Sequence, residues 1–124
     1  MAEPTPYGYE LTIDLHDCDQ ARFTKAGVRR FCEELCDLIE MNREDFHIWA
    51  SDPADYDKDP PHLHGISAVQ FITTSSLVIH TLPKLRCAYV NVFSCKWFDE
   101  AAARVFVATF FKGTIAQAKF MPRM

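Results

Sequence analysis

Across residues 9–15 apolar and polar side chains alternate without a break, so Tyr9, Leu11, Ile13 and Leu15 line one side of an extended chain. A strand with one apolar face needs a second layer to lie against. Residues 16–23 are polar and turn-like, and the period then changes. Over residues 25–41 Val28, Phe31, Leu35, Leu38 and Ile39 recur at steps of three and four, while Arg29, Arg30, Glu33, Glu34 and Asp37 take the other faces. This predicts an amphipathic helix whose stripe covers a sheet.

The rest repeats the theme with more strands. Residues 46–50 form a short apolar run. Residues 51–61 hold four aspartates and three prolines and read as a loop. Residues 66–73, 77–81 and 88–93 are β-like, with Pro83 and its basic neighbours interrupting the last two. Asp99 is placed to cap a second helix running to about Lys112, with Gly113 to end it and Val105, Phe106, Thr109 and Phe110 as its core face. Residues 115–120 suit a last strand. The order predicts an α+β fold: a two-layer sandwich of one antiparallel sheet with two helices packed on one face. At 124 residues, 48 % of them apolar, the chain fits a single domain over residues 1–124.

Charge and cysteine usage narrow the function classes. A net charge of −4, with basic residues scattered, offers no nucleic-acid footprint. No apolar run approaches a membrane span. Residues 1–9 lack the basic-then-apolar layout of an export signal, so the expected compartment is the cytoplasm and the expected state of Cys18, Cys32, Cys36, Cys87 and Cys95 is the free thiol. Cys32 and Cys36, with His62 and His64, have the types for a metal site. Their place inside an amphipathic helix makes the two cysteines small core side chains instead, and no metal is expected.

Residues 65–95 carry the chemistry: Gly65-Ile66-Ser67, then Thr73-Thr74-Ser75-Ser76 and Ile79-His80-Thr81-Leu82-Pro83-Lys84, then Val92-Phe93-Ser94-Cys95. A hydroxyl-rich turn between strands, a histidine on the second strand and a cysteine ending the third could converge as an acid–base and nucleophile set. Each is equally at home as an ordinary turn or packed residue. His62 and His64 flank Leu63, and on an extended chain they share a side, where they could line a site entrance.

The order of these residues resembles that of the prokaryotic, pyruvoyl-dependent S-adenosylmethionine decarboxylases. Their proenzyme carries Glu-Ser-His, then Ile-His-Thr-aromatic-Pro-Glu, then a Val-Phe-Thr-Cys-like strand end. The likeness implies self-cleavage between Thr74 and Ser75, giving a β chain of residues 1–74 and an α chain of residues 75–124. Ser75 would become the covalent pyruvoyl cofactor, whose carbonyl takes the substrate's α-amine as a Schiff base and acts as electron sink. His80 would be the processing base, Ser67 its partner in processing, and Cys95 the proton donor to the product. Leu82, Lys84 and His64 would fall in the substrate pocket. The resemblance also implies an amino-acid-type small-molecule substrate, a homodimer, and a place in polyamine (spermidine) synthesis.

Four positions depart from the family pattern. Thr74 replaces Glu, Ser76 replaces His, Leu82 replaces the aromatic that stacks on adenine, and Lys84 replaces the Glu that meets the ribose hydroxyls. An ammonium can only donate, and it sits badly beside a sulfonium. Two alternatives therefore stand beside S-adenosylmethionine decarboxylation. One is the same chemistry on arginine or ornithine, with Asp52, Asp55, Asp57 and Asp59 receiving a basic side chain unless that loop is only a solvated connector. The other is an uncleaved relative that acts by binding or by partnering an active homologue.

Overall fold

The computed structural model describes residues 4–124. Its strands are β1 (Gly8–His16), β2 (Arg43–Ala50), β3 (Ile66–Ile72), β4 (Ser75–Leu82), β5 (Cys87–Ser94) and β6 (Thr114–Arg123), and its helices are α1 (Lys25–Leu38) and α2 (Glu100–Phe111). Among the described residues these strands form one sheet in the order β2-β3-β4-β5-β1-β6, and every neighbouring pair is antiparallel. Helix α1 carries the chain from β1 to the far edge at β2, and α2 carries it from β5 to the other edge at β6. Both crossovers lie on the same face, as the alternation in β1 requires.

The register shows how that face is filled. Leu11 lies opposite Val92 and Ile13 opposite Val90, Val92 in turn opposite Leu77, and Ile79 opposite Ala68. All are buried beneath Val28, Phe31 and Leu35 of α1 and Ala103, Val107 and Phe111 of α2. Phe31 is the centre of the helix–helix contact, with ring centroids 5.8, 5.4 and 4.8 Å from Phe106, Phe110 and Phe111. Removing such a ring costs about 3–5 kcal/mol. The opposite face has no layer over it among the described residues. It carries Ser67, Val69 and Phe71 of β3, Ser76, Val78 and His80 of β4, and Tyr89, Asn91 and Phe93 of β5.

Several boundaries differ from expectation. Helix α1 stops at Leu38, because the chain reverses through Ile39 and a left-handed Glu40 at φ 59°. Strand β2 starts at Arg43, β4 at Ser75, and β6 continues to Arg123. The buried face of α2 is Ala103, Val107, Phe110 and Phe111, whereas Val105 and Thr109 are exposed, since adjacent Phe110 and Phe111 both turn inward and rotate the stripe.

Asp99 does cap α2, accepting from the Ala102 N–H at 3.0 Å. At the other end the left-handed residue is Lys112 (φ 51°), not Gly113. Gly113 is needed for space instead: a Cβ there would lie 2.8 Å from Leu15 Cγ and 2.9 Å from Cys18 Sγ. No helix of the described residues is long and apolar enough to cross a membrane.

Candidate active site

The β3–β4 hairpin turns through Thr73 and Thr74, and Thr74 sits at φ 51°. A β-branched residue there is strained by about 1–3 kcal/mol and persists only when its surroundings hold it. Ser75 follows as the first residue of β4, opposite Ile72 and only 7 % exposed. Cys95 comes just after β5 and donates its backbone N–H to Ser75 Oγ at 2.9 Å. The Cys95 thiol reaches the Thr73 carbonyl at 3.7 Å. Thr74, Ser75 and Cys95 thus meet at one end of the sheet.

That environment distinguishes Cys95 from other cysteines. Hydrogen bonds from the Ser75 and Thr74 hydroxyls hold its thiol below the ordinary value of 9.0. Burial pushes Cys18 and Cys36 up to about 11 and Cys32 up to about 12, where they stay neutral and inert.

Ser67 and His80 form a second group. They lie opposite each other on β3 and β4, and Ser67 Oγ shares a 2.7 Å hydrogen bond with His80 Nδ1. They belong to a row on the uncovered face, Trp49, Ser67, His80 and Tyr89, in which Trp49 is 61 % exposed. The two groups do not converge within one chain. His80 is five residues along β4 from Ser75, about 17 Å at some 3.4 Å per residue, and its side chain projects from the opposite face. A strand cannot bring such residues together, because its rise and its two-residue alternation are fixed.

His64, Leu82 and Lys84 gather at the far end of β4, farther still from Ser75. Lys84 Nζ donates to the Asp59 carbonyl at 2.8 Å and lies 4.7 Å over the Tyr56 ring. His64 is 93 % buried by its 7 % exposure; its Nδ1 meets Asp59 Oδ2 at 2.8 Å, and its ring stands edge-on to Tyr56. Half-buried Leu82 packs beside Gly65, where a Cβ would lie 2.0 Å from the Thr81 carbonyl. His62 does not share a side with His64. The chain turns there, with Leu63 N–H bonded to the Pro60 carbonyl, leaving His62 exposed and His64 buried. The aspartate-rich loop is folded on itself: Asp52 caps a short helical turn through the Ala54 N–H, and Asp59 is taken by His64.

A cavity of about 1000 Å³ lies on the helix side, lined in part by Phe23, Lys25, Asp52, Tyr56 and His64. Neither Ser75 nor His80 is in its wall. Cys32 and Cys36 are fully buried in the core face of α1, and no group of three or more metal-ligating side chains occurs among the described residues. The sequence reading missed Tyr56 and Asp59 as the partners of Lys84 and His64, and it missed Glu44, whose Oε1 accepts from the Thr73 hydroxyl at 3.1 Å. No spacing rule points to these contacts, since they depend on how a loop and a bulge fold.

A six-stranded antiparallel sheet under two helices, with Ser75 and Cys95 meeting at a hairpin that holds a left-handed Thr74, defines a two-layer α+β protein. Residues 9–124 match the sequence model of the family described as S-adenosylmethionine decarboxylase. The S-adenosylmethionine decarboxylase proenzyme of Saccharolobus islandicus (strain M.16.27) is 30 % identical over 97 residues, covering 77 % of this chain and 70 % of that protein. The proenzyme of the same name from Saccharolobus solfataricus is 30 % identical over 97 residues, covering 77 % and 68 %. The fold matches the crystal structure of the adenosylmethionine decarboxylase from Aquifex aeolicus VF5 with a TM-score of 0.78, at 19 % identity, over 97 % of this chain and 92 % of that one. The chain belongs to the S-adenosylmethionine decarboxylase family.

Proposed function

We propose that this protein is a proenzyme that cleaves itself between Thr74 and Ser75 and then decarboxylates S-adenosylmethionine for polyamine (spermidine) synthesis in the cytoplasm. The carrying observation is the left-handed Thr74 placed directly before a buried serine whose Oγ is already fixed by the Cys95 N–H. A planar amide resists attack, and a strained, held turn lowers that resistance. The Ser75 hydroxyl attacks the Thr74 carbonyl carbon; the C–O bond forms, the C–N bond breaks, and the hydroxyl proton ends on the Ser75 nitrogen. Loss of the Ser75 Cα proton then expels the Thr74 carboxylate and leaves a dehydroalanine. Water hydrolyses it with release of ammonia, leaving a pyruvoyl terminus on residues 75–124 and a separate chain of residues 1–74.

The local residues suit that group, since it is made from Ser75 in place and needs a proton donor nearby, which the Cys95 thiol provides. A pyruvoyl carbonyl supplies an electron sink for the bond to the departing carboxylate. Cys95 returns a proton to the product carbon. His80, paired with Ser67, is the base for processing, while Lys84 and His64, beside Leu82, are tied to Asp59 and Tyr56 in a cluster away from Ser75. Asp52 and Asp59, two of the four aspartates of that loop, are engaged within it.

Ser67–His80 and Ser75–Cys95 act together only if two chains meet, so the working form is a homodimer packed on the uncovered face. That face already exposes Trp49, Phe71 and Tyr89. His80 of the partner subunit then serves this chain's Ser75. The test is the intact mass of freshly purified protein under denaturing conditions. Two fragments separated at Thr74–Ser75, the larger-numbered one lacking a free amine, are expected. A single full-length mass persisting for days would leave an uncleaved relative and sink the proposal.

A further inference from the structure

Strand β2 pairs with β3 in register except at one place: Arg43 lies opposite Ile72 and Phe46 opposite Gln70, so Glu44 and Asp45 together face the single Phe71. That is a β-bulge, a device that re-aims side chains and is common beside active sites. Its support is unusual for a core position. Gln70 is 2 % exposed, between Ala68 and Ile72 on the covered face, and its Nε2 donates to the carbonyls of Glu44 (2.9 Å), Asp45 (3.3 Å) and Phe71 (2.9 Å). An apolar side chain would pack there without desolvating an amide, and it would leave the bulge carbonyls unpaired.

The bulge delivers one contact of consequence. Glu44 Oε1 accepts from Thr73 Oγ1 at 3.1 Å, while the Thr73 N–H donates to the Asn42 carbonyl at 3.2 Å. From the other flank the Cys95 thiol reaches the Thr73 carbonyl. Thr73 is therefore gripped by both neighbouring segments, immediately before the strained Thr74. Glu44 follows Arg43 and faces Phe71, on the same side as Thr73, and the extra residue lets Phe46 still pair with Gln70 beyond it.

We infer that the β2 bulge, braced by Gln70, is a positioning device for the cleavage turn, with Glu44 as the side chain that holds Thr73 and so keeps Thr74 left-handed. The inference rests on self-cleavage at Thr74–Ser75 and adds residues to it. Glu44 touches none of the reacting atoms; it acts through Thr73.

The experiment follows first-order self-cleavage by mass spectrometry for the parent, Glu44→Ala, Glu44→Gln, Thr73→Val, Thr73→Ser and the Glu44→Ala/Thr73→Val pair, with thermal melts of each. Glu44 and Thr73 are both exposed, so every variant should fold with an unchanged melt. Glu44→Ala and Thr73→Val should each slow cleavage about tenfold, the size of one hydrogen bond to a charged group. Thr73→Ser and Glu44→Gln, which keep a donor and an acceptor, should restore most of the rate. The double variant should be no slower than either single one, because both remove the same contact. Cleavage of Glu44→Ala at the parent rate, or a double variant slowed by the product of the two effects, would overturn the inference while leaving self-cleavage standing. A parent chain that stays whole would overturn the proposed function itself.

Discussion

The two ends of β4 are held in different ways. At the Ser75 end the backbone is strained, the thiol of Cys95 is easier to ionise than usual, and Glu44 and Cys95 approach the turn from either side. At the Lys84 end every polar group is satisfied: His64 by Asp59, Lys84 by the Asp59 carbonyl and the Tyr56 face. Between them, Ser67 and His80 pair with each other on the uncovered face. Stored strain belongs with bond breaking, and a closed hydrogen-bonded cluster belongs with holding a shape. If the chain cleaves as proposed, reactivity lies at the first end and architecture at the second.

The largest effect tests whether the reactive end is complete in one chain. Ser75→Ala should abolish cleavage, and His80→Ala should do the same by removing the base. Co-expressed, the two variants should regain it, because a mixed dimer places an intact His80 from the Ser75→Ala chain beside the intact Ser75 of the other. Mass spectrometry should then show fragments of the His80→Ala chain only. If the mixture stays whole while the parent cleaves, the base acts within one chain or elsewhere, and the separation of about 17 Å along β4 loses its meaning for the dimer.

Next in size is Cys95. The Cys95 backbone N–H, which any residue there would keep, holds Ser75 Oγ, so Cys95→Ala should still cleave yet lose decarboxylation by about 10²-fold, the scale of a general acid. The Ser75 hydroxyl, the first cause of the lowered thiol in the uncleaved chain, is consumed when the pyruvoyl group forms. In the processed enzyme the thiol donates only while protonated, so decarboxylation should fall as pH rises through the ordinary cysteine range. Equal activity of parent and variant on the alkaline side would remove Cys95 from the proton path.

How far these distinctions could be read from residue order depends on what each one rests on. The alternation of Tyr9 to Leu15 and the stripe of α1 are set by period, and both appear in the layers except that Leu38, expected in the stripe, is exposed at the end of the helix. The order of Ser67, Ser75, His80 and Cys95 named the residues of interest but not their separation, since the apolar pattern starts the strand at Leu77 and leaves Ser75 in a turn, whereas Ser75 is the first residue of β4. A left-handed threonine at position 74 has no sequence signal, because glycine and asparagine are the usual occupants. Lys112 taking the role expected of Gly113 has the same origin: close packing against Leu15 and Cys18 claimed the glycine first. Glu44 was invisible because the apolar run that signals β2 begins only at Phe46, whereas the strand and its pairing with β3 begin at Arg43.

The smallest effect concerns the architectural end. His64→Ala removes a buried ring and leaves the Asp59 carboxylate without its partner, a loss of about 2 kcal/mol that should lower the melting temperature by roughly 8 °C in a chain of this size. Self-cleavage should proceed at the parent rate, because the turn at Thr74 is held by β2 and β5 and by nothing at that end. Lys84→Met should cost less, within about 1 kcal/mol, as a half-buried cation–π contact and one hydrogen bond are lost. What separates an architectural cluster from a pocket wall is the division of the damage. If His64→Ala melts like the parent but raises the substrate concentration needed for half-maximal turnover, the cluster faces substrate, and the two ends of β4 share one site through the dimer.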